Sequence, residues 1–144
     1  MKTDHIMELM KDKYPKAERW VFGDSPAMND ELAELVAKGI KTATTCSFNL
    51  YDSDESEGDK ITVGNHYIVF DSKERPICVV RVIAMHLMQF SEMTTELAWK
   101  EGEGDRSLLH WQAEHQRFFG RMGVFSPDME IIVIEFKTVD FPPN

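Results

Sequence analysis

Two short segments, about sixty residues apart, hold the groups best suited to chemistry. In Lys38-Gly39-Ile40-Lys41-Thr42-Ala43-Thr44-Thr45 a lysine stands two positions after a glycine and just ahead of a run of hydroxyls. In Glu101-Gly102-Glu103-Gly104-Asp105-Arg106-Ser107-Leu108 two glycines alternate with three carboxylates. A lysine held in a cleft neutralises a phosphate or a developing oxyanion, and desolvation moves it toward base catalysis. The plainer use of the same residue is a solvated cation at a helix end, favoured by the macrodipole. Carboxylates gathered in a cleft serve as acid or base; the plainer alternative is a polar loop in which Asp105 caps the following helix. Apolar periodicity accounts for most of the remaining chain but for neither segment, and the two are read as walls of one site.

The elements that must position these groups follow from spacing. Residues 5–13 carry Ile6, Leu9 and Met10 at helical intervals and stop near Pro15. Ser25-Pro26 starts a second helix, with serine as N-cap and proline at the first helical position. Met28, Leu32, Leu35 and Val36 give that helix one apolar face, and Gly39 ends it. Residues 41–51 read as extended, so 42 and 44 share one face while 41, 43 and 45 share the other. Lys41 and Thr44 then meet only where the chain turns or bulges. His66 to Phe70 and Ile77 to Met85 flank Ser72-Lys73-Glu74-Arg75-Pro76 and read as a hairpin. Thr94 to Lys100 and Ser107 to Phe119 read as helices, and Met129 to Val139 as a closing strand that alternates Ile132, Ile134 and Phe136 with Val133, Glu135 and Lys137. Trp99, Trp111, Phe118 and Phe119 are expected in the core, with one exposed aromatic able to stack on a base. Non-consecutive strands with a few helices and no regular βαβ alternation give an α+β domain with a small curved sheet or barrel.

Composition sets the outer bounds. A chain of 144 residues with 42% apolar content suits a single domain over 1–144. No apolar run is long enough to cross a bilayer and the first residues lack the apolar stretch of a signal peptide, so a cytoplasmic protein without a membrane partner is expected. Cys46 and Cys78 lie outside any CxxC pattern and are expected as reduced thiols, not nucleophiles. The formal charge of −9 argues against a general nucleic-acid coating protein, whose affinity comes from many lysines and arginines on phosphates. Five of the acids fall within residues 52–59, which read as a solvated loop in preference to a calcium loop, since the closing glutamate is missing. His110 and His115, five apart, do not share a helical face well enough for a zinc pair and are expected as surface or packing residues. No Walker A loop, GxSxG elbow or HExxH occurs, and no metal or cofactor is expected.

The element Gly39-Ile40-Lys41-Thr42-Ala43-Thr44, then Ala98-Trp99-Lys100-Glu101-Gly102-Glu103-Gly104-Asp105-Arg106-Ser107-Leu108-Leu109-His110-Trp111, then Ile134-Glu135-Phe136, resembles the ASCH domain family, and most of all its YhfF-type bacterial branch. The resemblance runs from Trp20 to Val139. It implies a PUA-like β-barrel with flanking helices and a cleft for RNA, a nucleoside or a nucleotide, with no DNA partner. The family is often described as RNA-binding; one branch hydrolyses the amide of N4-acetylcytidine with a Lys, a Thr and a Glu, and ribonuclease activity is described for another member. By motif these fall on Lys41 as activating base, Thr44 as nucleophile or water-positioning hydroxyl, and Glu101 as proton shuttle or orienter. Thr42, Gly102, Gly104, Asp105, Ser107 and Arg81 are the implied substrate-binding groups. Two positions depart from the pattern: Cys46 replaces the hydrolase branch's arginine, and Arg81 stands where relatives commonly carry glutamate. The alternative to a hydrolase is a PUA-like module that grips RNA or a nucleotide without chemistry.

Overall fold

The computed structural model describes residues 3–52 and 61–143. Along the chain lie α1 (Thr3–Lys13), β1 (Glu18–Trp20), α2 (Pro26–Ala37), β2 (Ala43–Ser47), α3 (Phe48–Tyr51), β3 (His66–Phe70), β4 (Pro76–Gln89), a 3-10 turn (Phe90–Glu92), α4 (Thr95–Glu101), α5 (Leu108–Arg121) and β5 (Glu130–Asp140). The sheet order is β1-β3-β4-β5-β2. β1 pairs with β3 in parallel and every other pair is antiparallel. The sheet curls into a half-barrel with helices around it, so the α+β architecture expected from the sequence holds.

β5 divides the core. Ile132, Ile134 and Phe136 point to the face covered by α2, where they join Phe22, Leu32, Val36, Val80 and Val82. Ile131 and Val133 point to the opposite face and meet Ala43, Phe90, Leu97, Ala98, Trp111 and Phe119 from β2, the turn, α4 and α5. This is period-two alternation buried on both sides, which explains why β5 is apolar at every position from Ile131 to Ile134. β4 stays in the sheet for 14 residues by bending at a bulge between Val82 and Ala84. α1 covers Ile68, Phe70 and Val79 with Met10 at the far end.

The helix signals act as read. Ser25 accepts a hydrogen bond from the Met28 amide at 3.2 Å with Pro26 next in line, and Gly39 takes φ +75° just past the end of α2. Several expectations need correction. Residues 41–51 are not one extended run: only Ala43–Ser47 is strand, and Phe48–Tyr51 turns into α3. The second hairpin strand extends to Gln89, beyond Met85, because β5 is long enough to pair with it throughout. Trp99 is 56% exposed and stands outside the core, whereas Trp111 and Phe119 are buried. Ser107, not Asp105, caps α5 by accepting from the His110 amide; Asp105 instead accepts from the Ser107 amide. Residues 53–59 of the acidic stretch lie outside the described residues.

Candidate functional site

The end of α2 and the end of α4 are brought together by backbone hydrogen bonds. The Ile40 and Lys41 amides donate to the Leu35 carbonyl, and the Thr42 amide donates to the Lys100 carbonyl at 2.7 Å. Gly102 lies so close to this strand that a Cβ there would sit 2.7 Å from the Ile40 oxygen, and its φ of +73° suits glycine. Arg106 completes the clasp, donating to the Trp99 and Ile40 carbonyls while its guanidinium lies 3.3 Å from the Trp99 ring centre. Gly104 faces the His110 ring, leaving no space for a side chain.

Inside this clasp Lys41 is 1% exposed and Glu101 is 2% exposed. The Lys41 ammonium donates to the Ala43 carbonyl at 2.8 Å, to Glu103 Oε2 at 2.9 Å, and at 3.3 Å to both the Glu101 carbonyl and Glu101 Oε1. All its partners are acceptors, so it acts as a donor here. Glu101 Oε2 accepts from the Thr45 hydroxyl and from Trp111 Nε1 at 2.7 Å. Burial pushes the Glu101 pKa up, but Lys41, His115 and these two donors together outweigh burial and hold it below the ordinary carboxylate value. Glu103 approaches from the loop between the two glycines and is partly exposed, so the cluster carries two carboxylates against one ammonium.

The sequence-derived site residues separate into two groups. Lys41 and Glu101 meet. The hydroxyl that reaches Glu101 belongs to Thr45, not Thr44: Thr44 pairs with Ile134 and so shares the opposite face of the sheet, where β2 runs as regular strand without the bulge that would turn it back. Thr42 contributes its backbone to the junction, with its hydroxyl 3.4 Å from the Lys100 carbonyl. Ser107 borders the recess beside Glu101 while capping α5. Asp105 is exposed in its turn. Arg81 is exposed on β4, donates to the Gly64 carbonyl and touches neither Lys41 nor Glu101. Cys46 has its thiol pushed up to about 11 by burial and by the charge of Glu101, and Cys78 is pushed up to about 12 by burial; neither suits a nucleophile. Among the described residues no group of three or more His, Cys, Asp or Glu is arranged to hold a metal ion, and no helix is long and apolar enough to cross a membrane.

The family model described as ASCH domain matches residues 18–140, spanning every strand of this sheet and the whole Lys41–Glu101 junction. The chain belongs to the ASCH domain family. An ASCH domain from Lactobacillus crispatus, 26% identical, superimposes with a TM-score of 0.79 over 95% of this chain and 90% of that one. A protein from Enterococcus faecalis, 28% identical, gives a TM-score of 0.79 over 99% and 95%. An ASCH structure from Zymomonas mobilis, 8% identical, shares the fold alone, with a TM-score of 0.50 over 88% of this chain and 67% of that one. No curated protein is a significant match. The half-barrel is thus the PUA-like fold of ASCH domains.

In this ASCH domain two residues that spacing did not single out stand against Glu101. Trp111 and His115 lie one helical turn apart on α5, their rings stacked at 4.4 Å between centroids. Trp111 donates to Glu101, and His115 Nε2 lies 3.8 Å from Glu101 Oε1. The available signal was the i, i+4 relation between them, which places both on one helix face. His115 thus pairs with Trp111 across one helical turn and not with His110, five positions away.

Proposed function

We propose that this ASCH domain recognises a nucleoside or RNA at the junction of Lys41 and Glu101 and hydrolyses an amide of the N4-acylcytidine type, with Lys41, Glu101 and Thr45 as its working groups. The observation that carries the reading is the state of Lys41: a sealed ammonium already bonded to two carboxylates. Such a lysine offers no uncompensated positive charge, which disfavours a phosphate at this point and favours a neutral group whose oxygen can take one donor position. An amide carbonyl has that character. Glu103 holds the exchangeable position, because it is the one partly exposed partner of Lys41 and hangs from a loop bounded by two left-handed glycines. When Glu103 leaves, the substrate carbonyl oxygen takes its place, and Lys41 stabilises the charge that develops there.

Glu101 then serves as the base. Its Oε2 already accepts the Thr45 hydroxyl. As the Thr45 oxygen, or a water it orients, attacks the acyl carbon, the hydroxyl or water proton passes to Glu101. Glu101 passes that proton to the amine nitrogen as the C–N bond breaks. Where Thr45 holds the acyl group, water then attacks it and its proton returns through Glu101 to the Thr45 oxygen. The carboxylic acid product gives its proton to Glu101 as it leaves as carboxylate. Lys41 is thereby a donor and electrostatic partner, in place of the activating base that the motif implied.

The test is a hydrolysis screen of N4-acetylcytidine beside oligoribonucleotides, with wild type, Thr45→Val and Thr44→Val. Turnover of the acylated nucleoside is expected, falling about 10²-fold or more in Thr45→Val and little in Thr44→Val. A loss confined to Thr44→Val would overturn this assignment of the hydroxyl. The second reading is a binding module without chemistry, and Trp99 favours it: an exposed indole backed by a stacked guanidinium makes a platform for a base. Absence of turnover, with oligoribonucleotide binding that weakens in Trp99→Ala, would leave that reading in place.

A further inference from the structure

Glu101 is sealed from solvent, and each hydrolysis leaves it holding one proton, taken from the acid product as that departs as carboxylate, which must be returned. Lys41 offers no way out, since it is sealed too and already donates to acceptors on every side. The Thr45 and Trp111 bonds occupy Oε2. Oε1 accepts from Lys41 at 3.3 Å and also faces His115, whose Nε2 is 3.8 Å away, beyond direct hydrogen-bond reach but suited to a bridge of one water. Between them lies a recess of about 10 Å³, space for roughly one water molecule, lined among others by Glu101, Glu103, His110 and His115.

The tautomer of His115 is fixed by its other nitrogen. Nδ1 lies 2.9 Å from the Trp111 carbonyl, an acceptor only, so Nδ1 carries the proton and Nε2 of the neutral ring presents a lone pair to the recess. Stacking on Trp111 and contact with Phe119 hold the ring in this plane. At 16% exposure its side chain reaches both Glu101 and the solvent edge.

We propose that His115 is the proton exit of Glu101, a positioning and relay residue acting behind the base. The inference rests on the hydrolase reading. After Glu101 has accepted the proton of the departing acid, rotation of the carboxyl about Cγ–Cδ turns the O–H toward the recess. The proton crosses to His115 Nε2, directly on closer approach or through the single water. Glu101 returns to carboxylate, and the imidazolium keeps its Nδ1–H on the Trp111 carbonyl while its positive charge faces the reformed anion. Nε2 then releases the proton at the mouth of the recess. The charged or titratable groups around this path are Glu101 and, behind it, Lys41; Glu103 from the glycine loop; and His110 and Glu114 from α5 itself.

The first measurement is nitrogen-15 NMR of the histidine side chains in wild type and Glu101→Gln. In the neutral ring His115 is expected to carry its proton on Nδ1, and Glu101→Gln should move the Nε2 resonance. A proton on Nε2, or an Nε2 resonance indifferent to Glu101→Gln, would overturn the proposal. The second is His115→Asn, which keeps an amide donor for the Trp111 carbonyl and deletes Nε2. With N4-acetylcytidine as substrate, kcat should fall about 10²-fold with KM unchanged, and added imidazole should restore part of it. An unchanged kcat, or a loss that imidazole does not relieve, would refute the relay. A wild type that turns over no acylated nucleoside defeats the hydrolase reading, whereas the NMR result decides the His115–Glu101 coupling without any turnover.

Discussion

Replacing Lys41 with methionine should be among the most destabilising single changes in this domain. Lys41→Met keeps most of the side-chain volume, so cavity formation contributes little and the effect isolates the charge. What remains is Glu101, 2% exposed, with its carboxylate held by Thr45 and Trp111 but deprived of its cation. Removing one partner of a buried ion pair costs about 3–5 kcal/mol, a large part of the roughly 5–15 kcal/mol by which domains are stable. In urea, with a slope of about 2 kcal/mol/M, the midpoint should fall by about 2 M with the slope unchanged. The deficit should be greatest near neutral pH and shrink toward pH 5, because without Lys41 the buried carboxyl relieves itself by taking a proton. Lys41→Met combined with Glu101→Gln should recover most of the loss, since the stranded charge is gone. A loss below about 1 kcal/mol, or a double variant no better than the single, would refute the view of Lys41 as a sealed ion-pair partner. The same consideration makes Lys41→Ala a poor probe of catalysis, because lost activity would be confounded with unfolding.

Acid titration offers a second check. The folded-state pKa of Glu101 lies below its ordinary 4.5, so its contribution is fully present above that value and is lost as pH falls through the folded one. Asp140, drawn down to about 2 by Lys13 and then Tyr14, adds to the same acid limb. Stability measured by denaturant melts should therefore decline from about pH 4.5 downward, and Glu101→Gln should flatten the decline. Gly102→Ala forces a Cβ into the left-handed region and against the Ile40 carbonyl. It should cost at least about 1–2 kcal/mol and lower turnover of N4-acetylcytidine more than it lowers the melting temperature, because Lys41 shifts with Ile40.

The sequence disclosed most where local chemistry and periodicity agree. Ser25-Pro26, Gly39 and the alternation of Ile132, Ile134 and Phe136 in β5 each act within a few residues, and all were legible. The meeting of Lys41 with Glu101 was also legible, since apolar periodicity accounts for neither segment and their chemistry is complementary. Side-chain direction within β2 was not. Alternation placed 41, 43 and 45 together, yet the motif drew attention to Thr44, and only the Thr44–Ile134 register shows that this side chain faces away. β1 was missed because three residues, Glu18-Arg19-Trp20, carry too little pattern. The complete burial of Lys41 was not legible, because a lysine two residues past a helix-ending glycine normally reaches water. Acceptors from three residues, 43, 101 and 103, enclose it here, and two of those residues are about sixty positions distant.

β2 can enter the sheet only through β5, where Thr44 meets a partner, Ile134, 90 positions later in the chain. Loop closure over that span is slow, and its cost must be met before any contact returns it. During synthesis β1, β3 and β4 can pair with one another while Lys41 and Thr45 have no neighbouring strand. The half-barrel is therefore expected to grow from its β1 edge, with the strand carrying the candidate site at the opposite edge seated last. Recovery of the site after unfolding is accordingly a report on the final closing step, and a refolding experiment followed by Trp111, which donates to Glu101, should lag one that follows the β3–β4 hairpin.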